Sequence, residues 1–82
     1  MNDALAQFGI KTADDRLIKG VHEDSRKVGE DWIFIALPGK GETFVFEALE
    51  KGAIVLWERE EQQKNVYHVK DARFAMYRLI FL

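Results

Sequence analysis

Two short polar segments hold the residue types that bind phosphate and sugar groups in proteins. Residues 23–27 place the hydroxyl of Ser25 among charged side chains, and residues 38–43 place Lys40 between two glycines. Hydroxyl groups, backbone amides of glycine-rich loops and cationic side chains are suited to a diphosphate or a ribose. The two segments therefore predict a binding site for such a group, with Arg26 as a further cation.

An ordinary turn explains the same residues without a ligand. In this alternative Ser25 caps a turn, and the glycines only allow the chain to reverse direction. Arg26 would then pair with an acid beside it, either Asp24 or Glu23. From spacing alone this alternative is favoured, so a binding site needs support from elsewhere in the sequence.

The sequence contains no self-contained catalytic motif. A phosphate-binding loop of the G-x-x-x-x-G-K-[ST] type needs a glycine at the position of Phe34 and a hydroxyl at that of Gly41, and both are missing. Ser25 does not stand in the G-x-S-x-G nucleophile motif. The two histidines, His22 and His68, are far apart and belong to no cluster with metal-ligand spacing. We therefore expect no catalytic residue and no metal site.

The segments that flank the polar stretches alternate between strand and helix. The hydrophobic pattern predicts helices over 2–9, 44–51 and from 71 onward, and strands over 17–24, 32–37, 53–57 and 66–69. Two of these strands are apolar throughout, which is typical of strands buried on both faces. The sequence therefore predicts an α/β domain with a small mixed or parallel sheet flanked by helices. Both polar segments follow strands, so we expect them at one edge of the sheet, where ligands bind in such folds.

The composition limits the class of protein. Eighty-two residues form a single domain at most, and 48% hydrophobic residues are enough to build a core. A net charge of −2 argues against a nucleic-acid-binding protein, which normally has a basic surface. The sequence has no cysteine, no signal-peptide pattern and no apolar stretch long enough to cross a membrane. We therefore expect a cytoplasmic protein that binds neither nucleic acid nor membrane.

The C-terminal helix is apolar on two sides. One face holds Ala72, Ala75, Met76, Leu79 and Ile80, and the other holds Phe74, Tyr77 and Phe81. Helices that are apolar nearly all round are normally buried by more protein. We therefore expect the chain to be the front part of a longer protein that is cut before its next domain. The alternative is an independent interaction module that buries this helix against a partner protein.

The order of the motifs resembles the N-terminal domain of the Mur ligases of peptidoglycan synthesis. That family has an Asp-Ser-Arg-x-Val turn, a strand ending Phe-Val-Ala-Leu-x-Gly, and a helix followed by Gly-Ala and an apolar strand. The corresponding residues here are 24–28, 34–39 and 51–55, which read DSRKV, FIALPG and KGAIV. The resemblance is nearest to the MurE type, which adds the third amino acid to the UDP-N-acetylmuramoyl peptide. The MurF type, whose N-terminal domain is related, is the alternative within the family.

The resemblance implies that the two polar segments hold the UDP end of the substrate. The family's serine in the Asp-Ser-Arg turn contacts UDP, which assigns this role to Ser25. Its neighbours Glu23 and Arg26 are expected to shape the same pocket. The family's loop after the second strand contacts the uridine, which assigns Lys40 and Gly41 to the site.

Two positions depart from the family pattern. The family carries Gly-Asp immediately before the second strand, where this chain has Asp31 and Trp32. The loop after Gly39 is also shorter and lacks the Asp-Gly that precedes the family's helix.

The resemblance also implies which functions lie outside these residues. Mur ligases use ATP and Mg²⁺ to phosphorylate a substrate carboxylate, which an amino-acid amine then attacks. A central domain holds ATP and Mg²⁺, and a C-terminal domain selects the amino acid. We therefore expect a UDP-recognition domain without catalytic residues or a cofactor of its own. Its expected partners are the UDP-N-acetylmuramoyl peptide and the two missing domains of the same chain.

Overall fold

A sheet of four parallel strands lies at the centre of the protein, in a computed structural model that describes residues 2–61 and 63–80. The strands are β1 (Gly20–His22), β2 (Trp32–Ala36), β3 (Ile54–Trp57) and β4 (Val66–His68), and they lie side by side in that order. All neighbouring strands run parallel, with Phe34 opposite His22 on one side and opposite Val55 on the other. The expected α/β domain is confirmed, and its sheet is parallel.

Helices cover both faces of this sheet. The α-helices are α1 (Asn2–Ala6), α2 (Val45–Glu50) and α3 (Ala72–Ile80), and two 3₁₀ helices span Ser25–Lys27 and Lys40–Phe44. Helices α1 and α3 pack against one face and α2 packs against the other. No helix among the described residues is long and apolar enough to span a membrane.

The alternation of side chains along β2 explains the two-sided core. Ile33 and Ile35 point towards α1 and α3, whereas Phe34 and Ala36 point towards α2. All four are buried, because successive residues of a strand face opposite sides of the sheet and both sides are covered here. The prediction that the apolar runs form strands buried on both faces is therefore confirmed.

The end of α2 shows how the chain turns into β3. Gly52 has a φ of 89°, a left-handed conformation that glycine adopts without steric cost. Its N–H donates to the carbonyl of Leu49, and the N–H of Ala53 donates to the carbonyl of Ala48, so the last turn of the helix is closed. The predicted stop at Gly52 is confirmed, and it directs β3 back beside β2.

Three elements differ in length by more than one residue from the sequence-based prediction, and the first is the helix expected over 2–9, which is α-helical only over Asn2–Ala6. A strand was expected over 17–24, but β1 has only three residues, because the chain leaves the sheet after His22 and enters the 3₁₀ helix Ser25–Lys27, which Asp24 caps. The helix expected over 44–51 begins as an α-helix at Val45, because the preceding turns are wound as a 3₁₀ helix from Lys40.

Helix α3 has two apolar faces, as its sequence predicts, although Ile80, expected on the first face, is 45% exposed. Ala72 and Ala75 are fully buried against the sheet, whereas Phe74 and Tyr77 are 55% and 61% exposed. The predicted cap is also present, since the N–H of Phe74 donates to Asp71 Oδ1 at 3.0 Å. Phe81, expected on the second face, lies outside the described residues.

Candidate functional site

A pocket of about 630 Å³ lies at the carboxyl ends of β1 and β2. Its volume falls within the roughly 300–1,000 Å³ typical of small-molecule sites. The lining residues are Glu23, Asp24, Ser25, Arg26, Leu37, Pro38, Lys40, Gly41, Phe44 and Arg73. All five residues singled out in the sequence, Glu23, Ser25, Arg26, Lys40 and Gly41, lie in this lining. The parallel pairing of β1 with β2 brings their two following segments together, as expected from the sequence.

Asp24 shapes the first segment. Its Oδ1 accepts a hydrogen bond from the N–H of Arg26 at 2.9 Å, which caps the 3₁₀ helix Ser25–Lys27. Its own N–H donates to His22 Nδ1 at 3.0 Å, which ties the turn back to the end of β1. The cap of this turn is therefore Asp24, not Ser25 as in the ordinary-turn interpretation.

The charge of Arg26 is paired within the turn. Arg26 Nε donates to Asp24 Oδ1 at 3.1 Å, and Nη2 donates to Asp24 Oδ2 at 2.8 Å. These hydrogen bonds hold the pKa of the Asp24 carboxyl far below its usual range and raise the pKa of Arg26. The pairing of Arg26 with Asp24, which the ordinary-turn interpretation predicts, is thus confirmed. An anion in the pocket would have to compete with the Asp24 carboxylate for the Arg26 guanidinium.

Ser25 is held from behind by α2. Its hydroxyl, on a residue only 4% exposed, donates to Glu47 Oε2 at 3.0 Å. Lys51 Nζ donates to the backbone carbonyl of Ser25 at 2.8 Å and lies 3.6 Å from Glu47 Oε1. The i,i+4 pair on α2 therefore fixes both the main chain and the side chain of Ser25.

This arrangement limits the chemistry that Ser25 can offer. A serine hydroxyl has one donor and two acceptor lone pairs, and here the donor is directed at Glu47. Towards a ligand Ser25 can therefore accept a hydrogen bond from a hydroxyl or an N–H group, but it does not donate one to a phosphate oxygen. This outcome favours the ribose over the diphosphate among the two groups expected from the sequence.

Tight packing of the second segment favours the glycine at position 41. A Cβ atom on Gly41 would lie 3.1 Å from the carbonyl carbon of Ala36, at the end of β2. The segment is further held by Thr43 Oγ1, which donates to the carbonyl of Lys40 at 2.7 Å. Lys40 itself is exposed and forms no ion pair with any described residue. Its ammonium group is therefore available to an anion.

The pocket also contains residues that the sequence pattern did not identify. Phe44 is the first residue of the helix expected over 44–51, but it is 38% exposed and lies in the pocket wall with Leu37 and Pro38. The 3₁₀ winding of Lys40–Phe44 explains this difference, because it rotates Phe44 away from the position that α-helical spacing predicts. Arg73, at the start of α3, is the other residue without a sequence signal.

The pocket has the groups of a binding site. Its polar residues can hold an anion and accept a hydrogen bond, and its apolar wall with an aromatic ring can contact a base. Among the described residues, no group of three or more His, Asp or Glu side chains could hold a metal ion. In comparisons with known proteins, no protein-family model and no curated protein sequence matches this chain.

Proposed function

We propose that this chain is the UDP-recognition domain of a Mur-type ligase, of the MurE type first and the MurF type as the alternative. One observation carries the proposal. The Asp-Ser-Arg turn and the end of the Phe-Ile-Ala-Leu-Pro-Gly segment, Leu37 and Pro38, line one pocket of suitable size. A ligand seated there contacts both motifs at once.

The chemistry of the lining fits the three parts of a uridine diphosphate. The ring of Phe44, beside Leu37 and Pro38, offers an apolar surface on which a uracil can stack. The lone pairs of Ser25 can accept a hydrogen bond from a ribose hydroxyl or from the N–H of the base. Lys40 offers an unpaired positive charge to the diphosphate.

A departure from the family pattern also supports the proposal. Asp31 stands where the family carries glycine, and its φ is 66°, in the left-handed region that glycine favours. Aspartate is among the residues that adopt this conformation most readily. The backbone at position 31 therefore has a conformation that glycine favours, although the residue here is aspartate.

In this function the domain anchors a part of the substrate that does not react. Binding energy from a remote group can hold the reacting carboxylate in position and so lower the barrier of the chemical step. ATP and Mg²⁺ would act on that carboxylate in a separate domain, so the proposed partners are the UDP-N-acetylmuramoyl peptide and that domain. The proposed location is the cytoplasm, where these substrates are made.

Calorimetric titration of the 82-residue chain tests this proposal. We expect UDP and UDP-N-acetylmuramoyl dipeptide to bind saturably and adenosine diphosphate to bind at least about tenfold more weakly, a difference of about 1.4 kcal/mol. The variant Lys40→Gln should lose affinity for UDP. Lys19→Gln is the matched control, since Lys19 precedes β1 at the opposite end of the strand. Absence of UDP binding, or equal binding of both diphosphates, would contradict the proposal.

A second function is favoured by the exposed face of α3. Phe74 and Tyr77 expose more than half of their surface on a helix whose other face is buried. Such a surface is typical of an interaction site for another protein. Sedimentation of the protein in the form that cells produce discriminates between UDP recognition and protein interaction. A stable complex formed by a native 82-residue product would favour protein interaction.

A further inference from the structure

We propose that Arg73 makes the pocket selective for a phosphorylated nucleoside over the nucleoside itself. This inference rests on the proposed function and assigns its diphosphate end to a residue of α3. The sequence motifs of the two polar segments do not include Arg73. It enters the pocket because α3 returns to the edge of the sheet where those segments lie.

The balance of charge in the lining carries the inference. The two polar segments contribute two acids, Glu23 and Asp24, and two cations, Arg26 and Lys40. These charges sum to zero, so the segments alone give the lining no net positive charge that would favour a dianion. Arg73 makes the lining net positive. A diphosphate therefore gains a larger electrostatic advantage over a neutral nucleoside when Arg73 is present than Lys40 alone provides.

The two arginines of the pocket differ in availability. Arg26 already makes two hydrogen bonds to the carboxylate of Asp24, at 3.1 and 2.8 Å. Arg73 makes no ion pair with any residue in the described part of the chain. The planar fork of a free guanidinium matches two oxygens of a phosphate group, which an ammonium group cannot do. Arg73 is thus the arginine that can bind a phosphate without first losing a partner.

The start of α3 is fixed firmly enough to position this side chain. Ala72, the neighbour of Arg73, is fully buried, and its N–H donates to Glu58 Oε2 at 2.8 Å. The N–H of Phe74 donates to Asp71 Oδ1, so the first turn is held on both sides of Arg73. The backbone of Arg73 is therefore ordered before any ligand binds, which reduces the entropy lost on binding.

Titrations of uridine, UDP and inorganic pyrophosphate against Arg73 variants test the inference. We expect Arg73→Gln to weaken UDP binding by about tenfold or more, since hydrogen bonds to charged groups are among the strongest in proteins. Pyrophosphate binding should weaken in parallel, and uridine binding should change by less than about twofold. The UDP affinity of Arg73→Lys should fall between those of the wild type and Arg73→Gln. Arg78→Gln is the matched control, because it removes the same charge from the same helix outside the pocket.

Each outcome separates this inference from the proposed function. If the wild type binds neither uridine nor UDP, both fail. If UDP binds the wild type and Arg73→Gln with equal affinity, the inference fails and the proposed function stands. An equal loss for uridine and UDP also overturns the inference, because Arg73 would then act on the nucleoside or on the fold. Amide spectra of each variant, including Arg73→Glu as a second substitution, establish that the compared proteins are folded.

Discussion

The sheet and the pocket at its edge are built in opposite ways. In β2 and β3 every apolar side chain from Ile33 to Ala36 and from Ile54 to Leu56 is buried, on one face or the other. At the pocket every side chain except that of Ser25 is charged or only partly buried, and two cations, Lys40 and Arg73, make no ion pair among the described residues. Substitutions in the sheet should therefore affect stability, and substitutions of those cations should affect binding.

The largest effect is expected from truncating Phe34. This side chain is fully buried between β2 and α2, so Phe34→Ala should lower the free energy of unfolding by about 3–5 kcal/mol. Phe46→Ala is the control on α2, where the ring is 73% exposed, and should cost less than about 1 kcal/mol. Urea unfolding measures both. Similar losses in the two variants would contradict the described core.

A smaller loss of stability is expected at the turn before β3. Gly52→Ala places a side chain at a φ of 89°, with its Cβ 3.2 Å from Glu30 Cα. We expect a loss of about 1–3 kcal/mol in the same unfolding measurement. Gly29→Ala is the matched control, because a Cβ there meets no atom within 4 Å. Equal stability of Gly52→Ala and Gly29→Ala would contradict the left-handed conformation of Gly52 and its close approach to Glu30.

Glu47 connects the two regions, so its removal should affect both. Glu47→Ala leaves the buried Ser25 hydroxyl without its acceptor, and we expect a loss of stability of about 1–2 kcal/mol. If Ser25 contacts the nucleoside, uridine affinity should also fall. Glu50→Ala removes an exposed acid from the same helix and should change neither quantity. A loss of uridine affinity without a loss of stability would show that Glu47 acts on the ligand directly.

The smallest effect is expected for the ion pair of the first segment, through its dependence on pH. The pKa of Asp24 is lower in the folded protein than in the unfolded protein. The contribution of Asp24 to the free energy of unfolding is therefore fully present above the unfolded pKa, about 4, and is lost progressively as the pH falls below that value. Asp24→Asn should be slightly less stable than the wild type at neutral pH, because the pair is exposed and screened by solvent. The difference should shrink at about pH 3. A difference that stays constant between these conditions would contradict the pairing.

The sequence predicted the regular core well, because local patterns determine it. The run from Trp32 to Leu37 is apolar at every position and rich in strand-forming residues, which is typical of a strand covered on both faces. The positions of Ser25 and Lys40 at one edge followed from the same reasoning, since each comes shortly after a strand. The lengths of β1 and of the turn at Lys40–Phe44 depend on pairing and winding that single residues do not specify.

The details of the pocket depended on contacts between residues far apart in the sequence. The bond from Ser25 to Glu47 joins positions 22 residues apart, and no spacing rule predicts that it uses the hydroxyl donor. Arg73 lies on a helix whose sequence pattern is dominated by its apolar faces, and no spacing rule connects its charge with the pocket. The sequence shows the residue types of the two segments, but it does not show which of their charged side chains form ion pairs.

Amide chemical shifts recorded during a titration with UDP test the central claim most directly. The proposed function predicts saturable shifts for Ser25, Lys40 and Gly41, at the carboxyl ends of β1 and β2. It predicts no comparable shifts for Gly29 and Gly52, which precede β2 and β3 at the opposite end of the sheet. Saturable shifts confined to the pocket would support UDP recognition, whereas unchanged pocket amides, or larger shifts at the opposite end, would contradict it.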